Sequence, residues 1–114
     1  MNRLAAEQRG HKGEALAAWW LRLHGWRILA RRLRTPVGEI DLVARRGRTV
    51  AFVEVKARAT AAEADLSLDR RRLRRVAAAA QAVMPRYVRD GDVSRIDALF
   101  VVPGRWPRHL PNVW

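Results

Sequence analysis

At 114 residues, 49% hydrophobic and 30% charged, the chain has the size and core-forming side chains of one domain and little room for a second. It contains no cysteine, which excludes disulfides, thiolate zinc sites and a cysteine nucleophile and fits a reducing cytoplasm. Lysine and arginine number 23 against 11 aspartate and glutamate, a formal charge of +12, so a phosphate-rich partner is expected.

The first element expected is an amphipathic helix between Arg3 and His24, where Leu16, Trp19, Trp20 and Leu23 recur at helical spacing and Gly25 supplies a stop. A first strand follows over Trp26 to Arg34, ending at Thr35-Pro36. Glu39 to Arg45 alternates polar and apolar residues, and an Arg-Gly-Arg connection leads into Thr49 to Lys56, a β-hairpin pattern. Ala57 to Asp65 reads as a small, polar connection. Leu66 to Val88 reads as a second helix with Leu73, Val76, Ala77 and Ala80 inward, arginines outward, and Pro85 distorting or ending it. After a turn at Asp90-Gly91-Asp92, Ile96 to Val102 forms a fourth strand. The Pro-rich tail, 103–114, wraps the surface or is loosely held. The order α-β-β-β-α-β predicts an α/β domain with a mixed sheet.

No segment has the apolar stretch of a signal peptide, and the most apolar helical run, Val76 to Met84, is about half the roughly 20 residues that cross a bilayer. A cytoplasmic protein without a membrane partner is therefore expected.

The informative residues are the acidic ones on the hairpin. Side chains alternate along a strand, so Glu39 and Asp41 share one face, and Glu54 and Lys56 share one face of the next strand. With the turn near Gly47, Asp41 comes across from about Phe52 and Glu39 across from about Glu54, so three carboxylates and one ammonium converge. Like charges opposed on paired strands are destabilising unless something cationic lies between them. The bland alternative makes these residues solvated on an exposed sheet face. Ala51, Phe52, Val53 and Val55 argue against it, because they make the strand apolar on both faces, as in a buried central strand where a carboxylate needs a partner. Mg²⁺ or Mn²⁺ would resolve the conflict, since hard cations take carboxylate oxygens and complete their shells with water. A metal so held polarises a phosphodiester and activates water, and a neighbouring lysine orients that water or stabilises developing charge. This is the chemistry of a metal-dependent nuclease. Only Lys12 and Lys56 are lysines among the basic residues, so a lysine here points to a need for a compact ammonium.

Gly38-Glu39-Ile40-Asp41-Leu42-Val43-Ala44, followed by Phe52-Val53-Glu54-Val55-Lys56-Ala57-Arg58, resembles the signature of the YraN-like family of small bacterial proteins. Gly13-Glu14, Gly25-Trp26-Arg27-Ile28-Leu29 and Arg95-Ile96-Asp97 fit the same pattern. That largely uncharacterised family is similar to the PD-(D/E)xK, or restriction-endonuclease-like, nucleases. The resemblance implies one restriction-endonuclease-like domain over residues 1–114. Asp41 takes the place of the metal-binding aspartate, Glu54 of the acidic residue and Lys56 of the lysine. Glu14 takes the place of the first-helix acidic residue, and Glu39 stands as a carboxylate behind the ligands. Ile40 replaces the proline that names the superfamily.

Two functions follow. The leading one is a Mg²⁺-dependent nuclease acting on DNA. The rival is a non-catalytic basic DNA- or RNA-binding module in which the acidic cluster is a remnant. Lys12, Arg58 and the second-helix arginines, Arg70, Arg71, Arg72, Arg74 and Arg75, are the candidates for holding phosphates, against a reading of the helix block as a solvated face. Trp19, Trp20 and Trp26 read as core residues. Trp106 and Trp114 either pack on the domain or mark a self-association surface, which leaves a homodimer open. His11, His24 and His109 form no metal spacing.

Overall fold

The structure, a computed structural model, describes residues 3–66 and 69–114, with side chains described for 13–64 and 69–114. In chain order the elements are α1 (Arg3–Leu23), β1 (Arg27–Thr35), β2 (Gly38–Arg46), β3 (Thr49–Ala57), α2 (Ala61–Leu66), α3 (Arg70–Tyr87), β4 (Val93–Val101) and β5 (Arg108–Leu110). The strands form one sheet in the order β1-β2-β3-β4-β5. All neighbours are antiparallel except β3 and β4, which run parallel and are joined through α2 and α3, as a parallel pair requires. The expected mixed α/β domain is therefore present.

The helices cover opposite faces. Ala17, Ala18 and Leu21 of α1 bury themselves with Leu42, Ala44, Ala51, Val53 and Leu99 on one side. Leu73, Val76, Ala79, Ala80 and Val83 of α3 pack with Val43, Val50, Phe52 and Ile96 on the other. Central strand β3 is thus apolar on both faces over its first half.

The period of α1 was legible but its inward face was not. Leu16, Trp19 and Leu23 are exposed, Trp19 by 45%, while Trp20 is half-buried and Trp26 buried. The reason is the closeness of α1 to β3: a Cβ on Gly13 would lie 2.6 Å from the Ala57 Cβ. Such an approach selects glycine and alanine for the contact and turns the bulky side chains outward.

The helix expected over 66–88 is present but starts later, at Arg70, and a short separate helix precedes it. Asp69 caps α3, its carboxylate accepting the Arg72 N–H at 2.9 Å, so the chain restarts there instead of continuing from α2. The short α2 occupies the segment expected to be a plain connection. Pro85 lies inside the last turn of α3, which ends two residues later as Val88 N–H closes on the Met84 carbonyl at 2.9 Å. The tail is tied down: β5 pairs with β4, and His109 Nε2 lies 2.7 Å from the buried Asp97 carboxylate, which also accepts from Arg95 and the Asn112 N–H.

Candidate functional site

The site arises where β2 and β3 part. Their ladder runs from Arg46 opposite Thr49 to Leu42 opposite Val53 and stops there, although β2 keeps pairing with β1 back to Gly38 and β3 keeps pairing with β4 forward to Ala57. The hairpin turns on Gly47-Arg48, with Gly47 in the left-handed region at φ 61°. This register differs by two residues from the one expected. One step beyond the last pair, Asp41 comes level with Glu54 and not with Phe52, and Glu39 no longer faces Glu54. Glu39 is exposed and lies opposite Arg34 on β1.

The fork leaves a backbone donor without a strand partner, and Asp41 Oδ2 accepts it, the Val55 N–H, at 2.8 Å. Ile40 and Val43 both enter the α3-side core, so strict alternation fails around Asp41 and its side chain occupies the opening. Burial pushes the Asp41 carboxyl up to about 7, and the neighbouring Glu54 charge adds to the effect. The Val55 N–H and Lys56 pull the other way, and Glu14 raises it further.

Lys56 is 1% exposed, and its Nζ lies 2.7 Å from Glu54 Oε1. The two are same-side neighbours on β3, so the strand supplies both a desolvated ammonium and the carboxylate that makes its burial tolerable. The Lys56 charge is also felt by Asp69 at the start of α3, whose carboxyl is held below its ordinary value first by the Arg72 N–H. The start of α3 is therefore within electrostatic reach of Lys56.

Glu14 enters from α1 through the close approach that Gly13 permits. Its buried carboxylate is held by Arg32 Nε at 2.9 Å and Arg31 Nε at 3.3 Å. Consecutive strand residues normally point to opposite faces, and here φ of 49° at Arg32 brings both to one carboxylate. Arg31 and Arg32 carried no sequence signal for this place, because a left-handed arginine is a tertiary outcome.

Among the described residues no group of three or more His, Cys, Asp or Glu side chains stands together to hold a metal ion. The expected convergence of three carboxylates is thus reduced to a pair. Asp41 and Glu54 nevertheless suit a hard cation, since each is short of solvent and the Glu54 charge resists ionisation of Asp41. Two carboxylates with water are a common magnesium shell.

The expected phosphate-holding residues fall in three places. Lys12 lies outside the residues whose side chains are described. Arg58, two residues after Lys56, is half-buried and donates to the Ala57 carbonyl at 2.8 Å. Arg71, Arg72 and Arg75, with Arg70 and Arg74, are exposed on α3.

Residues 13–101, which span every one of these acidic positions, match the uncharacterised protein family UPF0102. The chain belongs to the UPF0102 family. It is 63% identical over 114 residues to a UPF0102 protein of Sphingopyxis alaskensis, covering all of this chain and 98% of that one. Its identity to the UPF0102 protein of Rhizorhabdus wittichii is 59% over 112 residues, covering 98% of this chain and 95% of that one. The Erythrobacter litoralis UPF0102 protein is 56% identical over 114 residues, with 100% and 98% covered. The UPF0102 membership agrees with the small uncharacterised bacterial family that the hairpin motifs resemble. Among the described residues of this UPF0102 chain no helix is long and apolar enough to cross a membrane.

Proposed function

We propose that this protein is a Mg²⁺-dependent endonuclease that hydrolyses phosphodiester bonds in DNA. The observation that carries the reading is the Asp41–Glu54–Lys56 group at the fork of β2 and β3. There a carboxyl pushed up to about 7 stands beside a second carboxylate and a buried ammonium. Asp41 and Glu54 would hold Mg²⁺ or Mn²⁺, and the bound ion would supply Lewis-acid stabilisation of phosphoryl charge and a more acidic water.

The chain's own residues supply the rest. Lys56 brings a compact, largely desolvated positive charge to the site, where it would favour negative charge developing on a phosphate oxygen. Glu14, fixed by Arg31 and Arg32, adds negative potential at Asp41 and so strengthens the attraction of a cation to that carboxylate. Arg58 and the α3 arginines offer positive charge on either side for a sugar-phosphate backbone.

Calorimetric titration of Mg²⁺ and Mn²⁺, paired with cleavage of labelled DNA and RNA, tests the proposal. Binding heat should be present for the wild type and absent for Asp41→Ala, and cleavage should need metal, Asp41 and Glu54. A second reading, the non-catalytic nucleic-acid-binding module, draws on the 2.7 Å Glu54–Lys56 ion pair, which already partners one carboxylate from within. It forecasts DNA or RNA binding with the same metal heat in Asp41→Ala as in the wild type, and no cleavage.

A further inference from the structure

A pocket of about 460 Å³ lies beside the site, outside the residues assigned to it. Its floor is apolar: Ala64 of α2, Phe100 of β4 and Val102 just beyond that strand, all buried and grouped with Ala98 in a small cluster. Its rim is Arg105, Trp106 and Arg108, and none of the described residues that line it is acidic. The size lies in the range of small-ligand sites, and an apolar interior with a few cationic groups is their usual composition.

Trp106 is the unusual member. It is 76% exposed, more than any other large hydrophobic residue described, although the tail around it is anchored by β5 and by buried Pro107. A turn closing from Arg105 N–H to the Val102 carbonyl, with Gly104 at φ 75°, presents it. On one side its ring meets Trp20 at 5.8 Å between centroids, which steadies the indole and leaves most of it open. Across the pocket the Arg108 guanidinium lies over the Phe100 ring at 4.9 Å. A steadied, open indole with arginines at either side fits a flat anionic ligand: the indole takes a planar face and the guanidinium groups take phosphate.

Position narrows the ligand. Phe100 is in register with Lys56 in the parallel β3–β4 pair, so the two share a face one strand spacing apart, about 4.8 Å. The Arg58 N–H bonds the Val101 carbonyl at 3.0 Å, so the chain leaving Lys56 runs along the same strand end. A strand whose phosphodiester lies at Lys56 therefore brings an adjacent base to the pocket. A base inside a duplex is stacked and paired and cannot offer its face to Trp106, whereas an unpaired one can.

We infer that this pocket takes an unpaired nucleobase of single-stranded DNA and so directs the enzyme to flaps, forks or free single strands over intact duplex. The inference rests on the proposed nuclease reading for its strand path, but its test is made on binding without metal.

Fluorescence anisotropy in EDTA, with a labelled oligo-dT, a forked duplex and a blunt duplex, compares the wild type with Trp106→Ala and Trp106→Phe. Stacking on an aromatic residue is commonly worth about tenfold or more in affinity. Trp106→Ala should weaken oligo-dT and fork by about tenfold and leave the blunt duplex unchanged, while Trp106→Phe keeps most of the affinity. Equal loss on all three probes, no loss on oligo-dT, or a changed oligomeric state of Trp106→Ala on a sizing column would overturn the pocket. Cleavage in Mg²⁺ separates the two readings. Asp41-dependent cleavage by the wild type together with unaltered Trp106→Ala binding sinks the pocket alone. Loss of oligo-dT binding in Trp106→Ala, with no metal-dependent cleavage by the wild type, sinks the nuclease and keeps the pocket as a binding site.

Discussion

Gly13 of α1 and Ala57 at the end of β3 touch so closely that a Cβ on residue 13 would lie 2.6 Å from the Ala57 Cβ. Ala57 cannot yield, because its Cβ is fixed to a strand paired on β4. Gly13→Ala must therefore lift α1, at about 1–3 kcal/mol for overpacking, offset by up to about 1 kcal/mol of helix propensity. Chemical denaturation should show a net loss of roughly 1 kcal/mol, and metal affinity should change with it as Glu14 moves. A Gly13→Ala variant as stable as the wild type would show that α1 does not rest on Ala57.

The Asp41 carboxyl makes stability depend on pH in a stated direction. Its folded-state value of about 7 stands above the ordinary 3.8, so between these values the folded protein holds a proton that the unfolded chain has released. Without metal, stability should fall as pH rises from about 4 to about 7, by up to a few kcal/mol from this group. Asp41→Asn keeps an acceptor for the Val55 N–H and cannot ionise. It should match the wild type near pH 4 and exceed it at pH 8, which melting curves across that range would read. Added Mg²⁺ should reverse the order at pH 8 by stabilising only the wild type. Equal stabilisation of Asp41→Asn by Mg²⁺ would remove Asp41 from the proposed metal site.

Lys56 joins stability to chemistry. Removing its ammonium in Lys56→Met leaves Glu54 without its 2.7 Å partner beside Asp41, and breaking a buried pair in this way costs about 3–5 kcal/mol. Lys56→Arg retains the charge but places a larger planar group at a position 1% exposed. Cleavage should fall at least about tenfold, on the order of 1.4 kcal/mol in barrier. Wild-type rates in Lys56→Arg would reduce Lys56 to a charge partner of Glu54.

The sequence disclosed most where chemistry and pattern coincide. Alternation in Glu39–Arg45 and Thr49–Lys56 sufficed for the hairpin, and charged residues on an otherwise apolar strand marked Glu54 and Lys56. Register was harder: a turn centred one residue later moves every cross-strand pair by two, so Asp41 meets Glu54 and Glu39 falls outside. The inward face of α1 was misread because alanines carry little hydrophobic signal, although only small residues tolerate a helix that near the sheet. Asp69 offered a capping signal for the start of α3, whereas β5 depends on an Asp97–His109 contact that no local pattern encodes.

The exposed arginines of α3 set the last expectation. Arg71, Arg72 and Arg75 are exposed on a helix whose N-cap, Asp69, is within electrostatic reach of Lys56, so under the proposed function they are the candidates for holding a nucleic-acid backbone that crosses the site. The net charge of +12 supports binding through phosphates, and phosphate contacts carry no base identity, so affinity should vary little with sequence. If roughly four to eight phosphates are bound, the logarithm of affinity should fall against the logarithm of salt with a slope of about −4 to −7. Replacing Arg71, Arg72 and Arg75 together by alanine should flatten that slope by about one unit for each phosphate no longer neutralised. Calorimetric heats with Mg²⁺ should stay nearly the same, since an exposed guanidinium offers no oxygen ligand to the cation. An unaltered slope in the triple variant would place the nucleic acid on another face and leave the α3 arginines as a solvated surface.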